Sequence, residues 1–467
     1  MTSIFAIFLA LLIPCSFSLK VLVYSPAYAA SHTNFMARLA DTLTEAGHNV
    51  TFFMPIIDES KKINWASKVV KKCTQTISDR KFIYLILEKR RNETKSAHCR
   101  HVRILDVGLN FGEQGYKCLE VMHKHAVQCC ENLFQNQKII EELRSRSYDV
   151  ALAEPLMTCG LALFRHIGIE KVLLTTSCTN YDVLLPATGE PEDTSYNPSM
   201  NSQVTNVMNF WERLENYNIF QTMEKAFTNM YDDEMEIYRK YLGQDFPDWR
   251  DLIPDASLHF TNSIPFLDFP RPSIQKTIGI GGIAVDIEAI PPKYESDDVT
   301  FANDVENVIF VKWMPQTALL KDNRLTAFLT HGGLGSTNEA AFLGKPSIMF
   351  PIWSDQTRNS NMLGRQGMSI VLHKSDLGNF QKIRDAFHEI LHDENYRLNA
   401  NKVAGMVRNQ PANPKDVFVK HVEFVGKYGP LHHMTPYSLK MSSFQRYNYD
   451  IYVYKSMSYV IPGALVW

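Results

Sequence analysis

The sequence predicts an α/β fold of parallel sheets covered by helices, and three observations predict it. Apolar runs of strand length alternate with helical patterns along most of the chain. The alternation stops at a proline-rich segment, "SIPFLDFPRPSIQKT" (263–277), and then resumes, which divides the chain into two units. A glycine-rich turn in "FLTHGGLGSTNEAAFLGKPSIMFPIWSDQ" (328–356) lies between a strand pattern and a helix pattern, where an open parallel sheet presents its ligands.

Taken in order, the chain opens with "MTSIFAIFLALLIPCSFSLK", a short apolar core followed by Ser16 and Ser18. This reads as a secretory signal over residues 1–18, because the apolar run is short for a membrane span. Strands follow at 20–25, 49–54, 101–107, 148–154, 171–176 and 257–262, and Phe35, Met36, Leu39 and Leu43 fall on one helical face between the first two. The polar and aromatic stretch 180–255 interrupts the alternation and reads as a helical lid over a pocket. This makes 19–262 a first domain and 263–277 a linker. The second domain, 278–429, repeats the pattern: strands in "NVIFVKW" (307–313), "LTAFLTHGG" (325–333), "PSIMFP" (346–351) and "MSIVLHK" (368–374), with helices from Gln316, Ser336 and Gln356 and further helices over 379–409. The tail, 430–467, ends in "IYVYKSMSYVIPGALVW", which Lys455 and Pro462 interrupt short of the ~20 apolar residues that a span requires. A packed terminal segment is expected there.

Composition narrows the function. The 467 residues are 45% hydrophobic with a net charge of −2, so no basic face argues for nucleic acid, and a small-molecule partner is expected. Asn49-Val50-Thr51 and Asn92-Glu93-Thr94 fit the glycosylation pattern, which acts only in a lumenal chain. Apart from Cys15, the cysteines at 73, 99, 118, 129, 130, 159 and 178 lack zinc-finger spacing. Pairing among them is compatible with an oxidising lumen, and the spacing does not say which pair.

The glycine-rich turn supports two readings. Glycines let a backbone approach an anion, and a helix amino terminus favours negative charge. Yet Ser336-Thr337-Asn338-Glu339 also matches a capping box that satisfies only its own helix. Neither the G-x-G-x-x-G pattern nor the Walker lysine pattern occurs in the turn.

The neighbouring residues are more specific. "WMPQTALL", "THGGLGSTNEA", "GKPSIMFPIWSDQ" and "RNSNML", in that order and spacing, resemble the signature of the UDP-glycosyltransferase family, of the animal UDP-glucuronosyltransferase type. "SPAYAASHTNFMARLADTLTEAGHNVTF" and "YDVALAEP" extend the resemblance into the first half. It implies two Rossmann-like domains facing a cleft, the GT-B arrangement, with acceptor on the first and UDP-sugar on the second. Carried over, Trp313 stacks on the uracil and Gln316 holds the base. His331, with backbone around Gly333 and Ser336, meets the diphosphate. Glu339 takes the ribose hydroxyls, and Asp355 and Gln356 those of the sugar.

On the acceptor side the same resemblance makes His32 the base that deprotonates an acceptor hydroxyl, with inversion at the anomeric carbon. Glu154 stands where many members carry aspartate and would orient His32. No Asp-x-Asp occurs, in keeping with a metal-free reaction without a cofactor. The implied substrates are UDP-glucuronic acid or UDP-glucose and a small lipophilic hydroxyl compound. The implied place is the endoplasmic reticulum lumen or secretory pathway, with possible homo- or hetero-oligomers and at most weak membrane association.

The chain departs from the family at "GIGGIAVDIEAIPPKYESDDVTFANDVENVIF" (279–310), where Ile290-Pro291-Pro292 runs straight into Lys293-Tyr294-Glu295. A strand-helix unit that should open the second domain is expected to be missing. The alternative function is therefore a truncated relative that binds acceptors, or pairs with full-length subunits, without catalysis.

Overall fold

The computed structural model describes residues 18–26, 30–56, 81–86, 111–179, 181–285, 316–352 and 354–464. The expected signal, the strands at 101–107 and 307–313, Asn92, Trp313 and the junction at 290–293 lie outside the described residues.

Among the described residues the first half holds one parallel sheet of seven strands: β1 (Lys20–Tyr24), β2 (Asn49–Ile56), β3 (Lys81–Ile86), β4 (Val150–Ala153), β5 (Val172–Thr176), β6 (Leu258–Thr261) and β7 (Thr277–Gly279), in the order β3-β2-β1-β4-β5-β6-β7. The order turns at β1, which pairs with β2 on one side and β4 on the other, so their carboxyl ends open a crevice there. Strand alternation sorts the side chains between two cores. Leu22 and Tyr24 enter one with helix α2 (Phe111–Gln135), α3 (Gln137–Ser145) and α4 (Cys159–His166). Val21 and Val23 enter the other with α1 (Ala30–Glu45), which buries the expected Phe35, Met36, Leu39 and Leu43.

The interruption at 180–255 is helical: α5 (Leu184–Thr188), the 33-residue α6 (Phe210–Leu242) and α7 (Trp249–Asp255). Asn209 and Glu212 form a capping box at the start of α6, and Met223, Phe227, Met230, Tyr231 and Tyr238 bury its inner face in the first core. Beneath it Cys130 of α2 and Cys159 of α4 form a disulfide, Cα–Cα 5.6 Å.

The second half contains α8 (Gln316–Lys321), β8 (Phe328–Thr330), α9 (Leu334–Leu343), β9 (Ser347–Met349), α10 (Gln356–Gly364), β10 (Ser369–Val371), α11 (Phe380–His392) and α12 (Glu394–Arg408). Its parallel sheet runs β10-β9-β8, and among the described residues β8 has no strand on its other side. Leu329, the middle residue of β8, is 51% exposed although its neighbours Phe328 and Thr330 are buried.

Two stretches lie apart from where the sequence places them. Residues 277–285 belong with the first sheet: β7 pairs with β6, and Ile280 and Ile283 enter the second of its cores. Helix α13 (Pro414–Tyr428) also returns to that core, where Phe418, Val422 and Val425 pack with Leu19, Val21 and Phe260. Apolar surface of the sheet left uncovered by α1 draws both back. After α13, Leu431 is buried, its N–H donating to Ser257 Oγ at 3.2 Å, and Arg446 of α14 (Ser443–Arg446) donates to the carbonyl of Glu190. The last helix, α15 (Tyr449–Ala464), corrects the expectation of a packed end: Ile451, Tyr452, Val453 and Tyr454 are all exposed, because four consecutive positions point to all sides of a helix that leans mainly on α14. No helix among the described residues is long and apolar enough to cross a membrane.

Candidate active site

His32 stands in the first turn of α1, beyond β1, and Glu154 follows the adjacent strand β4. Pairing of β1 with β4 therefore brings them together: Nδ1 of His32 lies 2.9 Å from Oε2 of Glu154. The loop after β5 completes the group. Glu154 Oε1 accepts the Ser177 N–H and the Tyr181 hydroxyl, each at 2.7 Å. Ser177 Oγ and Tyr181 Oη lie 2.7 and 3.3 Å from His32 Nδ1. The extra methylene of glutamate relative to aspartate thus reaches both the histidine and this loop. With Nδ1 committed to Glu154, Nε2 is the nitrogen a general base would use.

Burial works against a charged His32, but the Glu154 carboxylate, its hydrogen bond and the charge of Asp355 outweigh burial and raise the imidazole pKa. Glu154 behaves conversely. Burial raises its carboxyl, yet His32, the Ser177 N–H and the Tyr181 hydroxyl bring it down to about 2. The carboxylate is ionised at every physiological pH.

In the second half, β8 delivers the glycine-rich turn. Gly332 has φ +81°, and a Cβ there would sit 2.2 Å from Ser360 Oγ, so both conformation and space require glycine. Helix α9 begins at Leu334, with Gly333 as its N-cap and no side-chain cap. This overturns the capping box: Ser336 is the third helical residue, and Glu339 lies too far along to reach back. Backbone donors of the first turn are left for an anion. Glu339 instead accepts from Gln316 Nε2 at 2.7 Å and Thr317 Oγ1 at 3.1 Å, and Gln316 Nε2 also reaches Ser336 Oγ at 3.1 Å. Gln316, Ser336 and Glu339 are one cluster. Burial raises the Glu339 pKa, against which Gln316, Thr317 and the charge of Arg38 act.

The His331 side chain is exposed on the turn, yet the protein packed about it partly removes it from water. That burial lowers its pKa despite Asp355, so at neutral pH it offers a neutral N–H. Ser354, at φ 59° in the left-handed region, turns the chain into Asp355, the N-cap of α10. Asp355 Oδ2 accepts from Asn359 at 2.8 Å, and Gln356 Oε1 accepts the Ile352 N–H at 2.9 Å. The Asp355 charge is felt by His32 and Cys178 of the first half and by His331 of the second, which places it at the mouth between them.

Of the expected residues, the structure thus joins His32 with Glu154, and Gln316 with Ser336 and Glu339. It sets His331, Gly333, Asp355 and Gln356 on the turns facing them. Sequence reasoning missed Ser177, Tyr181 and Arg358, whose Nη1 donates to Thr179 Oγ1 between the first two at 2.9 Å. The first two had a signal: "TTSCTNY" is a polar cluster at the carboxyl end of a strand, where parallel sheets hold their ligands.

The model for the family described as "UDP-glucoronosyl and UDP-glucosyl transferase" matches residues 19–297 and 294–462. The match comes in two pieces that overlap at 294–297, beside the junction at 290–293 where a departure from the family is expected. A Caenorhabditis elegans protein named as a UDP-glucuronosyltransferase, ugt-47, is 25% identical over 493 aligned positions, covering 93% of this chain and 89% of that one. Those positions outnumber the residues of this chain that they cover, so the relative has several tens of residues without a counterpart here. UDP-glucuronosyltransferase 1A8 of Rattus norvegicus is 23% identical, over 90% of this chain and 86% of its own. Among solved structures, the glycosyltransferase VinC, crystallised with dTDP, superposes at a TM-score of 0.52, with 14% identity, 88% of this chain and 100% of its own. That likeness shows a two-domain glycosyltransferase fold.

Proposed function

This chain belongs to the UDP-glucuronosyl and UDP-glucosyl transferase family, a family of glycosyltransferases, and from that membership we propose that it transfers glucuronic acid or glucose from a UDP-sugar to a hydroxyl of a small lipophilic acceptor. The observation that carries the reading is the His32–Glu154 pair facing Asp355 and the uncapped start of α9. His32 Nε2 takes the acceptor proton as the acceptor oxygen bonds to the anomeric carbon, and the bond from that carbon to the UDP oxygen breaks on the opposite face. Glu154 stays ionised and stabilises the imidazolium. The departing diphosphate meets the free N–H groups of α9 and His331, without a metal ion. The leader-like first residues support a place in the secretory pathway.

The two-piece family match and the exposed Leu329 favour a second reading, in which the chain keeps its UDP and acceptor surfaces but does not turn over. Purified chain is titrated with UDP by calorimetry, then incubated with UDP-glucuronic acid or UDP-glucose and a panel of phenols and alcohols while released UDP is measured. Acceptor-dependent UDP release supports transfer. Binding without release supports the second reading, and no UDP binding overturns both.

A further inference from the structure

Helix α10 is tied to the first half by a contact that neither the reaction nor the family resemblance assigns. Arg358 lies one turn after Asp355 and is buried, as is its partner Asp268: Nη1 of Arg358 stands 2.6 Å from Asp268 Oδ1. The same nitrogen donates to Thr179 Oγ1 at 2.9 Å. Arg365, at the far end of α10, donates to the Leu267 carbonyl at 3.0 Å, and both guanidinium groups lie over the Phe269 ring, at 5.2 and 4.6 Å. The donor-side helix is thereby fastened to the segment joining the halves.

Thr179 is the informative member. It lies between Ser177 and Tyr181 in the loop after β5, and those two residues hold Glu154 Oε1 and reach His32 Nδ1. Asn262, at the end of β6, also donates to the Ser177 carbonyl at 2.9 Å, so the loop is fixed from below by the sheet and from across the cleft by Arg358. We propose that Arg358 is a positioning residue: by docking on Asp268 and Thr179 it sets the loop that aligns the His32–Glu154 pair, so that the pair is in order only when the donor-side helix is in place. Withdrawal of α10 would take the cation from Asp268 and the donor from Thr179, which makes the docked arrangement the favoured one. Alignment of the base would then follow closure of the halves. This rests on the proposed role of His32.

The test separates the two claims. Thr179→Val removes the hydroxyl while keeping the shape, and Arg358→Lys keeps the charge while removing the planar fork. The imidazole of His32 is followed by NMR titration in the unliganded chain, where Glu154, Asp355, Ser177 and Tyr181 are the groups facing it. Both variants are expected to move the His32 titration toward lower pH with thermal unfolding unchanged in Thr179→Val. In turnover, kcat is expected to fall by about tenfold or more with the KM for UDP-sugar within about threefold. A His32 titration and kcat unchanged in Thr179→Val would overturn the positioning role, even if Arg358→Lys lowers stability. A shifted titration in a chain with no turnover would keep this inference and reject transfer.

Discussion

Gln316 and Glu339, expected at the base and at the ribose, touch each other: Gln316 Nε2 donates to Glu339 Oε2 at 2.7 Å. The carboxylate that should take two ribose hydroxyls is therefore already oriented by an amide from the neighbouring helix. Replacing Glu339 with alanine should weaken UDP binding about tenfold to a hundredfold, the size expected for hydrogen bonds to a charged group. Because burial raises the Glu339 pKa, binding should also weaken as pH falls, starting at a higher pH than for an exposed glutamate. Calorimetry across pH 4.5–8 checks both, and a flat profile in the wild type would remove Glu339 from the site.

The His32–Glu154 pair predicts a pH dependence with a definite sign. A base must be neutral, and the His32 pKa is raised, so kcat should fall on the acid side below that raised value. Glu154→Gln removes the charge that raises it and leaves burial, which lowers it. The acid limb should therefore move to lower pH even as kcat drops. His32→Ala should lower kcat by about 10² to 10⁴, with UDP affinity nearly unchanged. An acid limb that stays in place in Glu154→Gln would show that another group sets it.

The sequence made these pairs legible in unequal measure. Apolar runs placed β1, β2, β4, β5 and β6, the rule that ligands sit beyond the carboxyl ends of parallel strands placed the Gly332 turn, and the family resemblance singled out His32 and Glu154. The strand at Lys81–Ile86 is not legible in the same way, because a short apolar run between polar flanks does not say whether it joins the sheet edge. Ser336 looked like a cap because Ser-x-x-Glu is local chemistry. Yet Glu339 finds its partners on α8, a contact that only the fold supplies. Likewise Phe418, Val422 and Val425 announce a buried helix face, but nothing local says that the face belongs to the first core.

Glu234 predicts a stability effect far from the chemistry. It lies on α6, fully buried, and Oε2 accepts the Thr158 N–H at 2.6 Å and the Thr158 hydroxyl at 2.8 Å. Burial pushes its carboxyl up to about 7, with Thr158 opposing. The folded chain therefore holds this proton more tightly than the unfolded chain does. The advantage is full below the ordinary glutamate range and is lost as pH rises through about 7. Glu234→Gln, which keeps an acceptor for Thr158 without the charge, should gain on the order of 3 kcal/mol over the wild type at about pH 8 and close to nothing below about pH 4. Urea unfolding at the two pH values measures the difference. Equal stability at pH 8 would mean that the carboxyl ionises in place without cost.

Leu329 bears on whether the chain is an enzyme or a binding relative. Strand side chains point to the two faces of a sheet, so where elements pack on its face the middle side chain of β8 would be covered, and a lysine there would cost several kcal/mol through a buried unpaired charge. Here Leu329 is half exposed at the edge of the described sheet, next to the turn that carries His331 and Gly332. Leu329→Lys should therefore change unfolding free energy by no more than about 0.5 kcal/mol and leave UDP affinity as it was. A loss of several kcal/mol would mean that this face of β8 is covered in the folded chain, as in a complete second domain. The departure at 290–293 would then cost the second domain little, and catalysis would be the stronger of the two readings.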